Sequence, residues 1–252
     1  MLNKKASLLK RTVLFSIIFG GMFFYREVLA NELEIDLYNE VHPIYEENRK
    51  VAYLTFDDGP SIYTEALLEV LNKENVPGIF FVLGSQIENL PNSEKLLQRI
   101  ISEGHYIALH TMTHDRSALY RTEKSPSLFT KEMFELRTRI KEITGQTINL
   151  CRAPYGKKGN FKAAHYKTVL DEGLYCVDWH VDSKDWNKKN AAQIYQEVES
   201  QLASHDKSKD LVILFHEYQR TVDVMPRIIE LLKDNGYSFE PYYNGKIFDG
   251  LD

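Results

Sequence analysis

From residue 51 onward the chain alternates short runs rich in β-branched and aromatic residues with longer stretches whose apolar positions recur every three or four residues. The short runs, read as strands, cover 51–57, 78–83, 106–109, 148–153, 174–181, 211–215 and 237–240. The longer ones, read as helices, cover 63–75, 93–103, 131–143, 161–172, 191–203 and 222–234. Regular strand–helix alternation returns each strand through a right-handed crossover. The product is an α/β domain whose parallel sheet is covered by helices, either open or closed into a barrel. The runs 51–56 and 211–215 are apolar almost without interruption, as strands buried on both faces must be. Gly104, Gly145, Gly173 and Gly236 each follow a helical stretch, where a left-handed cap is wanted.

The amino-terminal part does not join this pattern. Lys4, Lys5, Lys10 and Arg11 form a basic head, residues 12–25 an apolar run of 14, and Val28-Leu29-Ala30 a small-residue cleavage site. Residues 1–30 therefore read as an export signal, and an uncleaved membrane anchor is the alternative because Arg26 and Glu27 interrupt the cleavage region. The run is shorter than the ~20 residues of a spanning helix. Residues 31–50 are polar and acidic, a spacer ahead of a single catalytic-size domain at 51–252. With 252 residues and 43% hydrophobic content, the chain has no room for two comfortable domains. A secreted or cell-surface monomer is expected, touching membrane only through its N-terminal segment.

Charge narrows the partners. Residues 1–30 hold five Lys or Arg and one Glu, so without them the formal net charge moves from −5 to −9. An acidic chain argues against nucleic acid, which calls for a basic stripe. The cysteines, Cys151 and Cys176, are too few for a disulfide scaffold and form no Cys-x-x-Cys pair. They are expected as two small buried hydrophobes or, if their strands are neighbours, as one disulfide.

The polar residues with chemistry to offer fall at the carboxyl ends of the expected strands, where a parallel barrel keeps its active site. Asp57 and Asp58 follow the first, His110 the third, Arg152 the fourth, Asp182 and Asp185 the fifth and His216 the sixth. Adjacent carboxylates ending a buried strand need a cation, a proton or an arginine to separate their charges. His110-Thr111-Met112-Thr113-His114 spaces two imidazoles so that both can point at one centre. With Asp58 they make three protein ligands and leave positions open for water, the layout of a catalytic metal. Asp57 is then free to act as a base on water, with Arg152 as its charge partner. His216 is placed as a general acid whose far nitrogen bonds Asp185, and Trp186 offers an aromatic wall. Each feature alone has an ordinary reading. Asp57 to Pro60 suits a surface turn, the histidines suit a surface or a satisfied core, Arg152 suits a strand-end charge and Trp186 suits plain core.

Five segments in order, Thr55-Phe56-Asp57-Asp58-Gly59-Pro60, His110-Thr111-Met112-Thr113-His114, Arg152-Ala153-Pro154-Tyr155-Gly156, Asp182-Ser183-Lys184-Asp185-Trp186 and Leu214-Phe215-His216, resemble the motifs of the polysaccharide deacetylases, carbohydrate esterase family 4 with the NodB homology domain. The resemblance spans residues 51–240. It implies a distorted (β/α) barrel of about seven strands. It also implies that Asp57 is the catalytic base, that Asp58, His110 and His114 bind a metal, usually Zn2+ and in some members Co2+ or Mn2+, and that Arg152 tethers the base. The backbone N–H of Tyr155 is implied as an oxyanion donor, His216 as the acid with Asp185 as its partner, and Trp186 and Leu214 as walls of the acetyl pocket. Two departures stand out. Cys151 precedes the arginine where an aromatic is frequent, and Glu217 follows the acid-type histidine. The reaction implied is metal-assisted hydrolysis of an N-acetyl group on a polysaccharide, with N-acetylglucosamine of peptidoglycan expected. Chitin oligomers, poly-N-acetylglucosamine and acetylxylan are alternatives, as are a small-amide hydrolase and, in another class, an inactive carbohydrate-binding module.

Overall fold

The computed structural model describes residues 50–205, 210–248 and 250–251. The export segment expected at 1–30 and the spacer expected at 31–50, apart from Lys50, lie outside the described residues. In chain order the elements are β1 (Ala52–Gly59), α1 (Thr64–Glu74), β2 (Gly78–Val82), α2 (Gly84–Asn89), α3 (Ser93–Ser102), β3 (Tyr106–Leu109), α4 (Arg116–Tyr120) and α5 (Ser125–Thr144). They continue with β4 (Leu150–Cys151), α6 (Ala163–Asp171), β5 (Tyr175–Cys176), β6 (Val181–Asp182), α7 (Ala191–Leu202), β7 (Leu211–His216) and α8 (Gln219–Asp234).

The strands form one sheet in the order β5-β4-β3-β2-β1-β7-β6, every neighbouring pair parallel. The sheet curls into a half-barrel carrying helices, which bears out the expected distorted barrel of about seven parallel strands. β1 is central and almost wholly buried, and β2 is buried throughout, which accounts for their continuous apolar runs. Under the helices Leu54, Phe56, Phe80, Val82, Ile213 and Phe215 pack against residues such as Leu68, Met133 and Ile228. The other face has its own cluster, where Tyr53, Ile79, Phe81, Ala108, Leu150 and Val212 meet Tyr242, Phe248 and Leu251 of the carboxyl-terminal segment. All four glycines read as helix stops have a left-handed φ.

Two strand assignments need correction. The run 174–181 is not one strand. It supplies β5 at one edge of the sheet and β6 at the other, and residues 177–180 carry the chain between the edges. The reason is hydrogen bonding, because the carbonyls of Val177 and Asp178 accept from the Arg152 side chain, and His180 Nδ1 accepts from the Val212 N–H. The run expected at 237–240 makes only an isolated parallel bridge between Ser238 and Val51. The strand count is therefore met by a different set. Helix α5 begins at Ser125, earlier than expected, with Pro126 in the first turn, where its missing N–H is harmless. The short helices α2 and α4 were not expected. Cys151 and Cys176 face each other across β4 and β5 as free, buried thiols.

Candidate active site

Side chains alternate along a strand, so parity decides which face each one serves. On β1, Ala52, Leu54 and Phe56 enter the core under the helices, whereas Val51 and Tyr53 enter the opposite cluster. Thr55 and Asp57 continue that second row. Ala108, Leu150 and Val212 also belong to the helix-free face. His110, Arg152, Leu214 and His216 lie an even number of residues beyond them and so are aimed at the same side. By this rule Asp58 should point away from Asp57. It does not, because the backbone turns left-handed at Asp58 (φ 69°) and the β1–β2 register slips between Asp57 and Gly59. That irregularity swings the second carboxylate to the side of the first.

The two acids then meet different partners. Asp57 Oδ1 accepts a hydrogen bond from Arg152 Nη1 at 2.8 Å, and the same nitrogen donates to Thr55 Oγ1 at 2.8 Å. Arg152 is fully buried, lies over the Phe81 ring at 4.0 Å, and donates to the carbonyls of Val177 and Asp178. A buried guanidinium with its donors engaged fixes Asp57 in place and balances its charge. Asp58 has no such partner. Its Oδ1 is buried without a hydrogen-bond donor, 3.4 Å from His110 Nε2 and 3.4 Å from His114 Nε2. Burial opposes its charge, yet the neighbouring His110, with His216 and His114, holds its carboxyl far below the usual range.

Asp58, His110 and His114 each offer a ligand atom, all within 4.8 Å of one another. Both histidines turn Nε2 toward the Asp58 carboxylate. His110 Nδ1 lies 3.0 Å from the Arg152 carbonyl, so the protonated nitrogen faces that oxygen and Nε2 is left as an acceptor toward Asp58. Burial and the neighbouring His110 hold His114 below the ordinary imidazole value against the pull of Asp58 and Asp57, which favours the neutral, ligating form. Its ring lies 4.5 Å from that of Tyr155, whose hydroxyl donates to the His114 carbonyl. An orphaned buried carboxylate oxygen between two imidazole acceptors suits a divalent cation of the Zn2+ kind, and these residues fit one.

His216 lies directly across from Asp57 in the β1–β7 register. Its Nδ1 is 2.7 Å from Asp185 Oδ1, and its backbone N–H donates to Asp185 Oδ2. Thr221 and Arg220 on α8 bind the Oδ2 and the backbone carbonyl of Asp185. Burial alone would lower His216. The hydrogen bond and charge of Asp185, with the charges of Asp57 and Asp58, instead raise it to about 9, so it carries a proton at neutral pH.

The remaining expected residues sit around this centre. Tyr155 takes a left-handed φ of 64° in the turn after β4, half-exposed. Leu214 is buried on β7, and Trp186 is 54% exposed on the loop after β6. Glu217 is buried and accepts from the Ser61 N–H, the Ser61 hydroxyl and the Thr64 hydroxyl, bracing the turn that follows Asp58. Sequence reasoning did not single out Thr55 as a partner of Arg152, nor Glu132 on α5, which binds the backbone between the two histidines. Parity along β1 could have found Thr55. Nothing local marks Glu132 among the charges of its helix.

The sequence profile of the polysaccharide deacetylase family matches residues 45–173. The chain is similar to the putative polysaccharide deacetylase YheN of Bacillus subtilis, 37% identical over 193 residues that cover 75% of this chain and 66% of that relative. It is also similar to a peptidoglycan-N-acetylglucosamine deacetylase of Bacillus cereus, at 34% identity over 79% of this chain and 72% of the relative. Its fold is similar to the crystal structure of the polysaccharide deacetylase Bc1974 from Bacillus cereus, with a TM-score of 0.72 and 36% identity over 79% of this chain and 95% of that one.

Proposed function

The chain belongs to the polysaccharide deacetylase family, and from that premise we propose that it hydrolyses N-acetyl groups of N-acetylglucosamine in an extracellular polysaccharide, with cell-wall peptidoglycan as the substrate. The observation that carries this reading is the division between the adjacent acids. Asp57 is ion-paired to a buried arginine opposite His216, while Asp58 presents an unpartnered oxygen between two imidazoles. One carboxylate is prepared for proton transfer and the other for a cation.

Asp58, His110 and His114 would hold the cation, Zn2+ by the donor set, with Co2+ or Mn2+ as substitutes. Bound there, it supplies Lewis acidity toward the acetyl carbonyl and toward water. Asp57, held by Arg152, accepts the proton of the attacking water. The Tyr155 backbone N–H is offered to the oxygen on which negative charge develops. His216, protonated through Asp185, gives its proton to the departing sugar nitrogen, so the products are acetate and a free amine. Leu214 and Trp186 flank the acetyl methyl group. Export is supported by the basic head and apolar run of residues 1–30, and the acidic charge balance of the remainder suits a neutral polymer. The relative named for peptidoglycan deacetylation supports that polymer.

The test is acetate release from purified peptidoglycan, chitin oligomers and acetylxylan, before and after chelation and with Zn2+ restored. Acetate from peptidoglycan that chelation abolishes and Zn2+ restores is expected. Absence of release from every N-acetylated polymer would sink the proposal.

A further inference from the structure

We propose that Glu132 is a positioning residue for the cation site, holding the His110–His114 loop in its ligating shape; this rests on the reading of Asp58, His110 and His114 as cation ligands. Glu132 lies inside α5, 5% exposed, on a helix face shared with Phe129, Met133 and Leu136. A carboxylate there is costly to bury unless its oxygens find donors. The donors come from one loop. Oε2 accepts from the Met112 and Thr113 N–H groups, each at 3.0 Å, and the Thr113 hydroxyl donates to Oε1 at 3.0 Å.

The loop needs such a clamp. Between the two histidines the chain takes positive φ at Thr111 (72°) and ends with His114 at 58°. A β-branched residue in that region is strained, and strain persists only where the surroundings over-determine it. From one side the Gly84 and Ser85 N–H groups donate to the carbonyls of Thr111 and Met112. A Cβ on Gly84 would lie 2.1 Å from the Met112 sulfur and 3.1 Å from its Cα, so a side chain there would have to displace Met112. From the other side Glu132 takes the N–H groups. The peptide groups between the ligands are thus pinned on both edges, with the two Nε2 atoms each 3.4 Å from Asp58 Oδ1.

The test measures Zn2+ affinity directly, by competition with a chromogenic chelator, on the full chain and on Glu132→Gln, which keeps the shape of the side chain. Thermal unfolding of the metal-free proteins runs alongside. The expected result is a Zn2+ dissociation constant about 10–100-fold weaker in Glu132→Gln, the usual cost of losing an outer partner of a metal ligand, in protein still folded at the assay temperature. Thr113→Val, which removes one of the bonds, should move affinity the same way by less and stands in if Glu132→Gln does not fold. A merely structural Glu132 would lower the unfolding temperature and leave the dissociation constant within twofold of the parent, which would overturn the inference. A parent chain that binds no Zn2+ would instead overturn the cation reading itself.

Discussion

Replacing Asp185 with Asn removes one charge from the partner of His216 and leaves its burial untouched. The parent imidazole is pulled down by burial and lifted by the Asp185 hydrogen bond and charge, with Asp57 and Asp58 adding to the lift, from 6.5 to about 9. That rise favours the imidazolium by roughly 3 kcal/mol. At pH 8 about nine in ten parent molecules therefore carry His216 as the imidazolium. In Asp185→Asn the main lift is gone and burial remains, so the imidazole should fall below its ordinary value and be protonated in at most ~3% of molecules at pH 8. If His216 delivers the proton to the leaving nitrogen, the variant should be slower by about 30-fold or more at pH 8, and the gap to the parent should shrink as pH falls toward ~5.5.

The assay is the initial rate of acetate release at saturating substrate from pH 5 to 10, expressed as the ratio of variant to parent. Groups that titrate in both proteins cancel in that ratio. A ratio that is flat across the range would refute the electrostatic reasoning, since it would show a loss of geometry and not of proton affinity. Stability gives a second reading. A folded value above the unfolded one means the native state holds the proton more tightly. The contribution is fully present below pH 6.5 and is lost as pH rises through about 9. The stability gap between parent and Asp185→Asn should therefore narrow over that window.

Asp57→Asn should bind Zn2+ as the parent does and lose about 10²–10⁴-fold in turnover, whereas His114→Ala should lose metal and turnover together; metal content and acetate release on the same samples separate the two. Arg152→Met strands the Asp57 charge in the sheet interior and should cost about 3–5 kcal/mol in urea unfolding, so a loss under 1 kcal/mol would show that the pair does not support the fold. Burial pushes the Cys151 thiol up, and both thiols are free and buried, so by inaccessibility neither cysteine should react with an aromatic disulfide reagent until the protein is unfolded; prompt labelling of native protein would contradict the packing.

Much of this was legible in the chain because β1 and β7 are buried on both faces and carry nearly unbroken apolar runs that end in titratable residues. A strand end is the one place in such a run where a polar side chain is tolerated, so Asp57, His110, Arg152 and His216 declare themselves by position. The segment 174–181 misled for a physical reason. Its composition suits a strand, but its carbonyls are taken by the side chain of Arg152, and no local pattern records that a residue 25 positions away will compete for them. Glu132 was illegible on the same ground. A glutamate is an ordinary helix residue, and only the packing of α5 against the loop turns it into a ligand for backbone N–H groups.

What the sequence could express least is backbone conformation. Among the described residues, non-glycine residues with positive φ are Asp58, Asn75, Thr111, His114, Tyr155 and Lys184. Asn75 ends helix α1, a common place for a left-handed asparagine. Asp58 lies at the end of β1 and the others in the motif loops that follow β3, β4 and β6. Each costs on the order of 1–3 kcal/mol, against a domain stability of about 5–15 kcal/mol. A chain shaped for stability alone would place Gly or Asn at such positions. Thr, His, Tyr and Lys stand there instead, so the side chain as well as the turn is required. At Asp58 the turn brings a second carboxylate to the first; at His114 it delivers an imidazole; at Tyr155 it sets a ring against that imidazole. The strain is borne by local bonds, the Thr111 hydroxyl on the His114 N–H, Asn160 on the Tyr155 carbonyl and the Asp182 carboxylate on the Lys184 N–H. Strand ends fix which residues can reach the site, and these strained turns decide that they face one another.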